Sequence, residues 1–176
     1  YSEIDNLSSM VDEAIDLARM ESGNWRIEIT QWELSDVILP SVKRLSGKLR
    51  ESGFTITYRL IEANVMADAR RIDQVMTNLL NNALKYSDDQ RRIEIVAQME
   101  GTDQVRILVG NSGYLSDEEK DRIWERYYRK LQSRPPLVPS EGIGLDFIRT
   151  ILAAHGSKYG VKVESGMVWF YFTLPG

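Results

Sequence analysis

Three asparagines in five positions, at 78, 81 and 82, stand inside an otherwise strong helical pattern, 72-IDQVMTNLLNNALKYS-87. At about 100° per residue, Gln74, Asn78, Asn82 and Lys85 fall in one narrow stripe. Ile72, Met76, Leu79, Leu80, Ala83 and Leu84 take the opposite side, which must bury against a second layer. A solvated helix face is normally built from Glu and Lys. Asn costs roughly several tenths of a kcal/mol against Ala in a helix interior, so the amides need a reason. One reading is a merely polar helix face. The other is an ion and phosphate site: an amide oxygen can ligate Mg²⁺ while the ion keeps its waters and phosphate oxygens. Lys85, one turn on, would then face a phosphate as a point charge.

The elements around this helix fix the fold class. Alternation predicts strands at 25-WRIEI-29, 54-FTITYR-59, 92-RIEIVAQM-99 and 104-QVRILVG-110. Residues 158-KYGVKVE-164 and 167-MVWFYFTL-174 read as a closing hairpin around Gly166. Helices are predicted over 33–53, with a kink or early first turn at Pro40, over 69–86, over 117–128 and over 143–155. Strands and helices mix without regular βαβ repetition. The expected fold is therefore α+β, a two-layer sandwich in which a mixed sheet carries helices on one face.

Bulk properties exclude several functions. At 176 residues the chain suits one domain with a short appendage. Net charge is −4 with both signs interspersed, so no basic face points to nucleic acid. The absence of cysteine removes disulfides and thiolate metal sites and fits a reducing compartment. A single histidine, His155, gives little support to a zinc cluster or a Ser-His-Asp triad. No run of about 18 apolar residues is long enough to span a membrane.

The first 24 residues differ from the rest. Ile4, Leu7, Val11, Ala14 and Ala18 step by threes and fours, the seam of a coiled coil or bundle, and Ile15, Leu17 and Met20 widen the apolar surface. One reading is an amphipathic helix packed on its own domain. The favoured one is a truncated bundle helix ending at Gly23. Because Tyr1 opens in mid-pattern without an initiator Met, the chain is expected to be part of a longer protein, with room for membrane segments upstream.

Three further segments carry chemistry. In 109-VGNSGYLS-116, Asn-Ser-Gly follows a strand and by itself signals a turn. The segment 123-IWERYYRK-130 reads as an amphipathic helix with Trp124 and Tyr128 in the core. After it, Arg129 and Lys130 open a Pro-containing loop over 129–141, where a cation could reach a phosphate. In 140-SEGIGLDFIRTILAAHG-156, Gly142 and Gly144 flank a helix start, where backbone N–H groups and the dipole favour a phosphate. His155 ends this helix before Gly156. There a partly charged imidazole would suit the C-terminal dipole, a structural role.

Together these segments resemble the histidine-kinase branch of the GHKL ATPases, the superfamily shared with DNA gyrase and MutL. The resemblance covers nearly the whole chain. Residues 72–87 are similar to its N box, 109–116 to its G1 box, 123–130 to its F box with Trp124 for Phe, 129–141 to its ATP lid, and 140–145 to its G2 box. It implies that Asn82 coordinates Mg²⁺, that Asn78 and Lys85 lie along the phosphates, and that Tyr86 stacks near the adenine. It also implies that Asn111 and Gly113 sit at the adenine, that Arg129 and Lys130 reach phosphate from the lid, and that Gly142, Ile143, Gly144 and Leu145 cradle phosphate. The chain departs from the pattern at three places: Asn111 stands for the Asp that accepts from the adenine amino group, Leu115 for the second G1 glycine, and Ser140 for the first G2 glycine. An amide oxygen can still accept that bond, without charge assistance. Restoring the acid is expected to tighten ATP binding, provided the pocket can hydrate or pair the second oxygen.

The expected organisation is residues 1–24 as the end of the second dimerisation helix and 25–176 as the ATP-binding catalytic domain. By the same resemblance the γ-phosphoryl group passes from Mg-ATP to a histidine outside this chain and on to a response regulator. The parent protein is expected to be a homodimer, anchored in a bacterial membrane with this domain in the cytoplasm. Two alternatives remain: a degenerate scaffold that has lost productive nucleotide binding, or another GHKL ATPase such as an anti-sigma factor serine kinase or topoisomerase domain.

Overall fold

A computed structural model describes residues 3–23, 25–124 and 144–176, with the side chains of 3–10, 13 and 144 outside the description. In chain order the elements are α1 (Glu3–Glu21), β1 (Thr30–Glu33), α2 (Leu34–Glu51), β2 (Thr55–Leu60), β3 (Asn64–Ala67), α3 (Ala69–Tyr86), β4 (Arg92–Glu100), β5 (Gln104–Ser112), α4 (Asp117–Arg122), α5 (Gly144–Ala154), β6 (Tyr159–Glu164) and β7 (Met167–Pro175). The main sheet has five strands in the order β2-β4-β5-β7-β6. Only the β2–β4 pair is parallel, and the other three pairs are antiparallel, so the sheet is mixed as expected.

The period of two explains which face is covered. Ile93, Ile95 and Ala97 of β4, Val105, Ile107 and Val109 of β5, and Phe170, Phe172 and Leu174 of β7 all join one buried cluster. Val37, Val42, Leu45 and Leu49 of α2, Ile72, Met76, Leu80 and Ala83 of α3, and Phe147, Ile148 and Ile151 of α5 close that cluster from above. The helices therefore occupy one layer. On the open face the Trp169 ring lies flat over its cross-strand partner Gly110, where an added Cβ would meet a ring carbon at 2.5 Å. That face holds a shallow concavity of about 580 Å³ beside Trp169, on the other side of the sheet from the amide stripe. Ser165 and Gly166, both with positive φ, turn the β6–β7 hairpin in the manner of a two-residue primed turn.

Two expectations require correction. Residues 25–29 alternate like a strand but lie in irregular chain, and the strand begins only at Thr30. Their polar atoms are engaged elsewhere: the Glu28 amide donates to the Asp68 carboxylate at 2.9 Å instead of to a ladder. The sheet is also not the only one, since β1 pairs antiparallel with β3, a strand with no signal in the sequence reading. Pro40 lies inside α2 on an exposed face. The carbonyl of Asp36, which would have received its missing N–H, sits at an exposed residue and can turn to water, so the helix continues through it.

Helix α1 has two characters. Leu17 is buried in the domain core, and Asp16 pairs with Arg71 of α3 at 3.1 Å in a nearly water-free contact. Arg71 also donates to Gln74 at 3.0 Å, and its guanidinium lies 4.9 Å from the centroid of the Trp25 ring. Val11, Ala14, Ile15 and Ala18 are exposed along the other side. Gly23, at φ 78°, closes the helix with its amide on the Met20 carbonyl.

Candidate functional site

The site is built on α3. Asp68 caps the helix by accepting from the Arg71 amide at 3.2 Å. The Asp68 amide donates to His155 Nε2 at 3.0 Å, while His155 Nδ1 lies 2.9 Å from the Ile151 carbonyl. A carbonyl only accepts, so Nδ1 carries the proton and Nε2 is the acceptor. This corrects the expectation of a partly charged imidazole at the helix end. His155 is a neutral strut between α5 and the start of α3, with both nitrogens occupied.

Along α3, Ile72, Val75, Met76, Leu79, Leu80, Ala83 and Leu84 are buried as the helical pattern predicts. The amide stripe is not a solvated face. Asn78 is only 6% exposed, and Gln74, Asn82 and Lys85 are half-buried. Gln74 belongs to the Asp16–Arg71 contact, so its role is structural. Asn78 and Asn82 differ. Each holds its side-chain nitrogen away from solvent with no hydrogen-bond partner among the described residues. An unsatisfied buried polar group costs about 1–3 kcal/mol, and two on one stripe mark a place where a partner from outside the described residues would sit.

The far end of α3 is tied to β5. Ser87, the C-cap residue, places its hydroxyl 3.2 Å from the Ser112 carbonyl and 3.1 Å from the Ser112 hydroxyl. The Asp88 amide reaches the same carbonyl at 2.9 Å, and the Arg92 amide donates to the Ser112 hydroxyl at 2.9 Å. Asn111 continues the helix-facing row of Val105, Ile107 and Val109 and is 7% exposed. Its Nδ2 donates to the Ser112 carbonyl at 3.2 Å, which leaves Oδ1 as the accepting end of the amide. Gly113 follows at φ 154°, with the Tyr86 carbonyl 3.7 Å from where a Cβ would stand. A Cβ there would make only ordinary contacts, so it is the backbone conformation and not crowding that favours glycine.

Leu115, in place of a family glycine, is buried in the core cluster, where it anchors the chain ahead of α4. Helix α4 starts with a full capping box between Ser116 and Glu119. Its Asp117 carboxyl is held below the usual carboxylate range by the hydrogen bond from Lys120 at 2.8 Å. Trp124 packs edge-on against Tyr159 and Phe170, a core role as read from the sequence. Gly144 is the first residue of α5, and half-buried Leu145 packs against the core. Arg129, Lys130, Gly142 and Ile143 lie outside the described residues. Asp146, 3% exposed in the first turn of α5 and paired with Arg149, was missed by the sequence reading. An acid in the first turn of a glycine-led helix was the available signal.

Comparison with known proteins agrees with this fold. Residues 67–176 match the family described as "Histidine kinase-, DNA gyrase B-, and HSP90-like ATPase". The adaptive-response sensory kinase SasA of Nostoc sp. is 36% identical over 113 residues, 63% of this chain and 28% of that protein. The signal transduction histidine-protein kinase/phosphatase MprB of Mycolicibacterium paratuberculosis is 26% identical over 181 residues, 99% of this chain and 34% of that one. The chain therefore spans about a third or less of the length of the curated relatives it matches. Among solved structures, the nucleotide-free catalytic domain of histidine kinase ThkA superposes with a TM-score of 0.73 at 28% identity, over 85% of this chain and 96% of that one. ThkA in complex with the response regulator protein TrrA superposes with a TM-score of 0.77 at 25% identity, over 98% of this chain and 48% of that one.

Proposed function

The chain belongs to the histidine kinase-, DNA gyrase B- and HSP90-like ATPase family, and from that premise we propose that it is the catalytic domain of a sensor histidine kinase, phosphorylating a histidine carried elsewhere in its parent protein. The observation that carries this reading is the pair of buried, unpartnered amide nitrogens of Asn78 and Asn82 on one stripe of α3. The two ends of an amide exchange by a 180° flip, so each marks a polar contact that the described residues do not supply. The residues fit a hard cation with its phosphates: amides, a lysine one turn away and no competing thiolate or imidazole. Mg²⁺ held by the Asn82 oxygen would neutralise charge on the β- and γ-phosphates.

The remaining roles follow from position. Asn78 and Lys85 line the phosphates, and Gly144 and Leu145 offer the N-terminus of α5 to them. Tyr86 borders the adenine, and the Asn111 oxygen accepts from its amino group. The resemblance adds Arg129 and Lys130 from the lid, and Gly142 and Ile143 from the G2 box, as further phosphate contacts, all four outside the described residues. In the transfer, a nitrogen–phosphorus bond forms at the acceptor imidazole while the bond from the γ-phosphorus to its bridging oxygen breaks, and ADP leaves. Residues 1–24 are the end of the second dimerisation helix, and the exposed row Val11, Ala14, Ile15 and Ala18 is where bundle partners would pack. The acceptor would then pass its phosphoryl group to a response regulator, as the pairing of ThkA with TrrA suggests. The parent is proposed to be a membrane-anchored homodimer with this domain in the cytoplasm.

Incubation with γ-labelled ATP tests the reading. The chain alone should stay unlabelled, because the only histidine is a half-buried strut with both nitrogens engaged. An added dimerisation domain from the parent should take up acid-labile label. Label on His155, or none on the added domain, would contradict the proposal.

A further inference from the structure

We infer that the Ser87–Ser112 hydroxyl pair is a positioning element of the nucleotide site, fixing the Asn111 amide so that its oxygen selects adenine over guanine. The inference rests on the ATP reading above. The two serines are 25 residues apart in sequence, and both are buried. Their hydrogen bonds form a consistent set. The Ser87 hydroxyl donates to the Ser112 carbonyl, the Ser112 hydroxyl can donate back to Ser87 Oγ, and the Arg92 amide donates to Ser112 Oγ.

The Ser112 carbonyl is the pivot. It receives the Ser87 hydroxyl, the Asp88 amide and Asn111 Nδ2. Two donors besides Asn111 fix where this oxygen stands, and that oxygen in turn fixes the Asn111 amide. Rotating the amide by 180° would put its oxygen against a carbonyl oxygen, two acceptors without a proton between them. Nitrogen is held inward, so oxygen is the end offered to a ligand. Adenine presents an amino donor to such an acceptor, and guanine presents a carbonyl in the same place. The same knot joins the last turn of α3 to the strand bearing Asn111, so the phosphate end and the base end of the site share one anchor.

Ser87→Ala removes one of the donors holding the carbonyl while leaving Asn111 and all proposed phosphate contacts in place. With the full chain and Mg²⁺, calorimetry should show ATP affinity falling about fivefold, GTP affinity unchanged, and the preference for ATP narrowed by the same factor. Ser87→Thr, which restores the hydroxyl, should recover the preference. A merely structural hydroxyl would lower the melting temperature and move both nucleotides equally. Equal losses for ATP and GTP, or an unchanged ATP-to-GTP ratio, would overturn the inference while leaving the ATP reading intact. If the unmodified chain bound neither nucleotide, the ATP reading would fail, and this inference with it.

Discussion

Asn82→Ala is expected to lose magnesium-dependent ATP affinity by about a hundredfold while the protein melts at or above the parent temperature. The two effects have separate causes. Binding suffers because a bond to a charged partner contributes about 1.5–3 kcal/mol. A metal ligand at the phosphates is at the upper end of that range. Stability does not suffer, because the Asn82 nitrogen is buried without a partner among the described residues. Alanine removes that unsatisfied donor and is the better helix former by roughly several tenths of a kcal/mol. A polar face kept for folding would behave the opposite way, losing stability with nucleotide affinity untouched. Calorimetry with and without chelator, paired with a thermal melt, reads both quantities. Affinity equal to the parent in Mg²⁺ would remove Asn82 from the metal.

Asn111 carries the second large effect, and here the structure reverses an expectation. From the sequence, restoring the family's acid should tighten ATP binding, provided the second oxygen can be hydrated or paired. It cannot. That oxygen would take the place of Nδ2, 3.2 Å from the Ser112 carbonyl, which already accepts from two other donors. Asn111 itself is buried, so water cannot readily separate the two oxygens. Asn111→Asp is therefore expected to weaken ATP binding by about tenfold, comparable to Asn111→Ala. The alanine loss follows from a neutral hydrogen bond of about 0.5–1.5 kcal/mol, or roughly two- to twelvefold. Both variants should lose ATP affinity and keep GTP affinity. Equal ATP and GTP affinities in the parent and both variants would make Asn111 a turn residue only.

What was legible in the sequence was what local pattern encodes. The 3.6-residue period gave α3 its bounds and its buried side, and the clash between amides and that period pointed to the candidate site. Alternation found three of the five strands of the main sheet, β2, β4 and β5, to within two residues, and the hairpin around Gly166 gave β6 and β7. Residues 25–29 alternate too, but a strand needs a partner, and the Glu28 amide found Asp68 instead. Strand β3, only the four residues Asn64–Ala67, is too short to carry a period. The Ser87–Ser112 knot and the His155 strut could not be read at all. Each joins residues distant in the chain, 25 apart in one case and 87 in the other, and neither serine nor histidine declares a partner by its spacing.

Two of the three departures from the family pattern can be set against these contacts, Ser140 lying outside the described residues. Leu115 replaces a glycine, yet its side chain is core and holds the chain that leads into α4. Asn111 replaces an acid where the neighbouring carbonyl would oppose one. Both changes adapt the site to its own surroundings, and neither removes a group that the amide stripe depends on.

The central claim is that the buried amides of α3 and the Asn111 amide form one Mg-ATP site. The most direct test is a calorimetric titration of the unmodified chain with ATP, with Mg²⁺ present and then chelated. A single saturable site is expected, with an affinity that falls sharply on chelation. No binding in either condition, or binding indifferent to Mg²⁺, would contradict it and bring the scaffold reading forward.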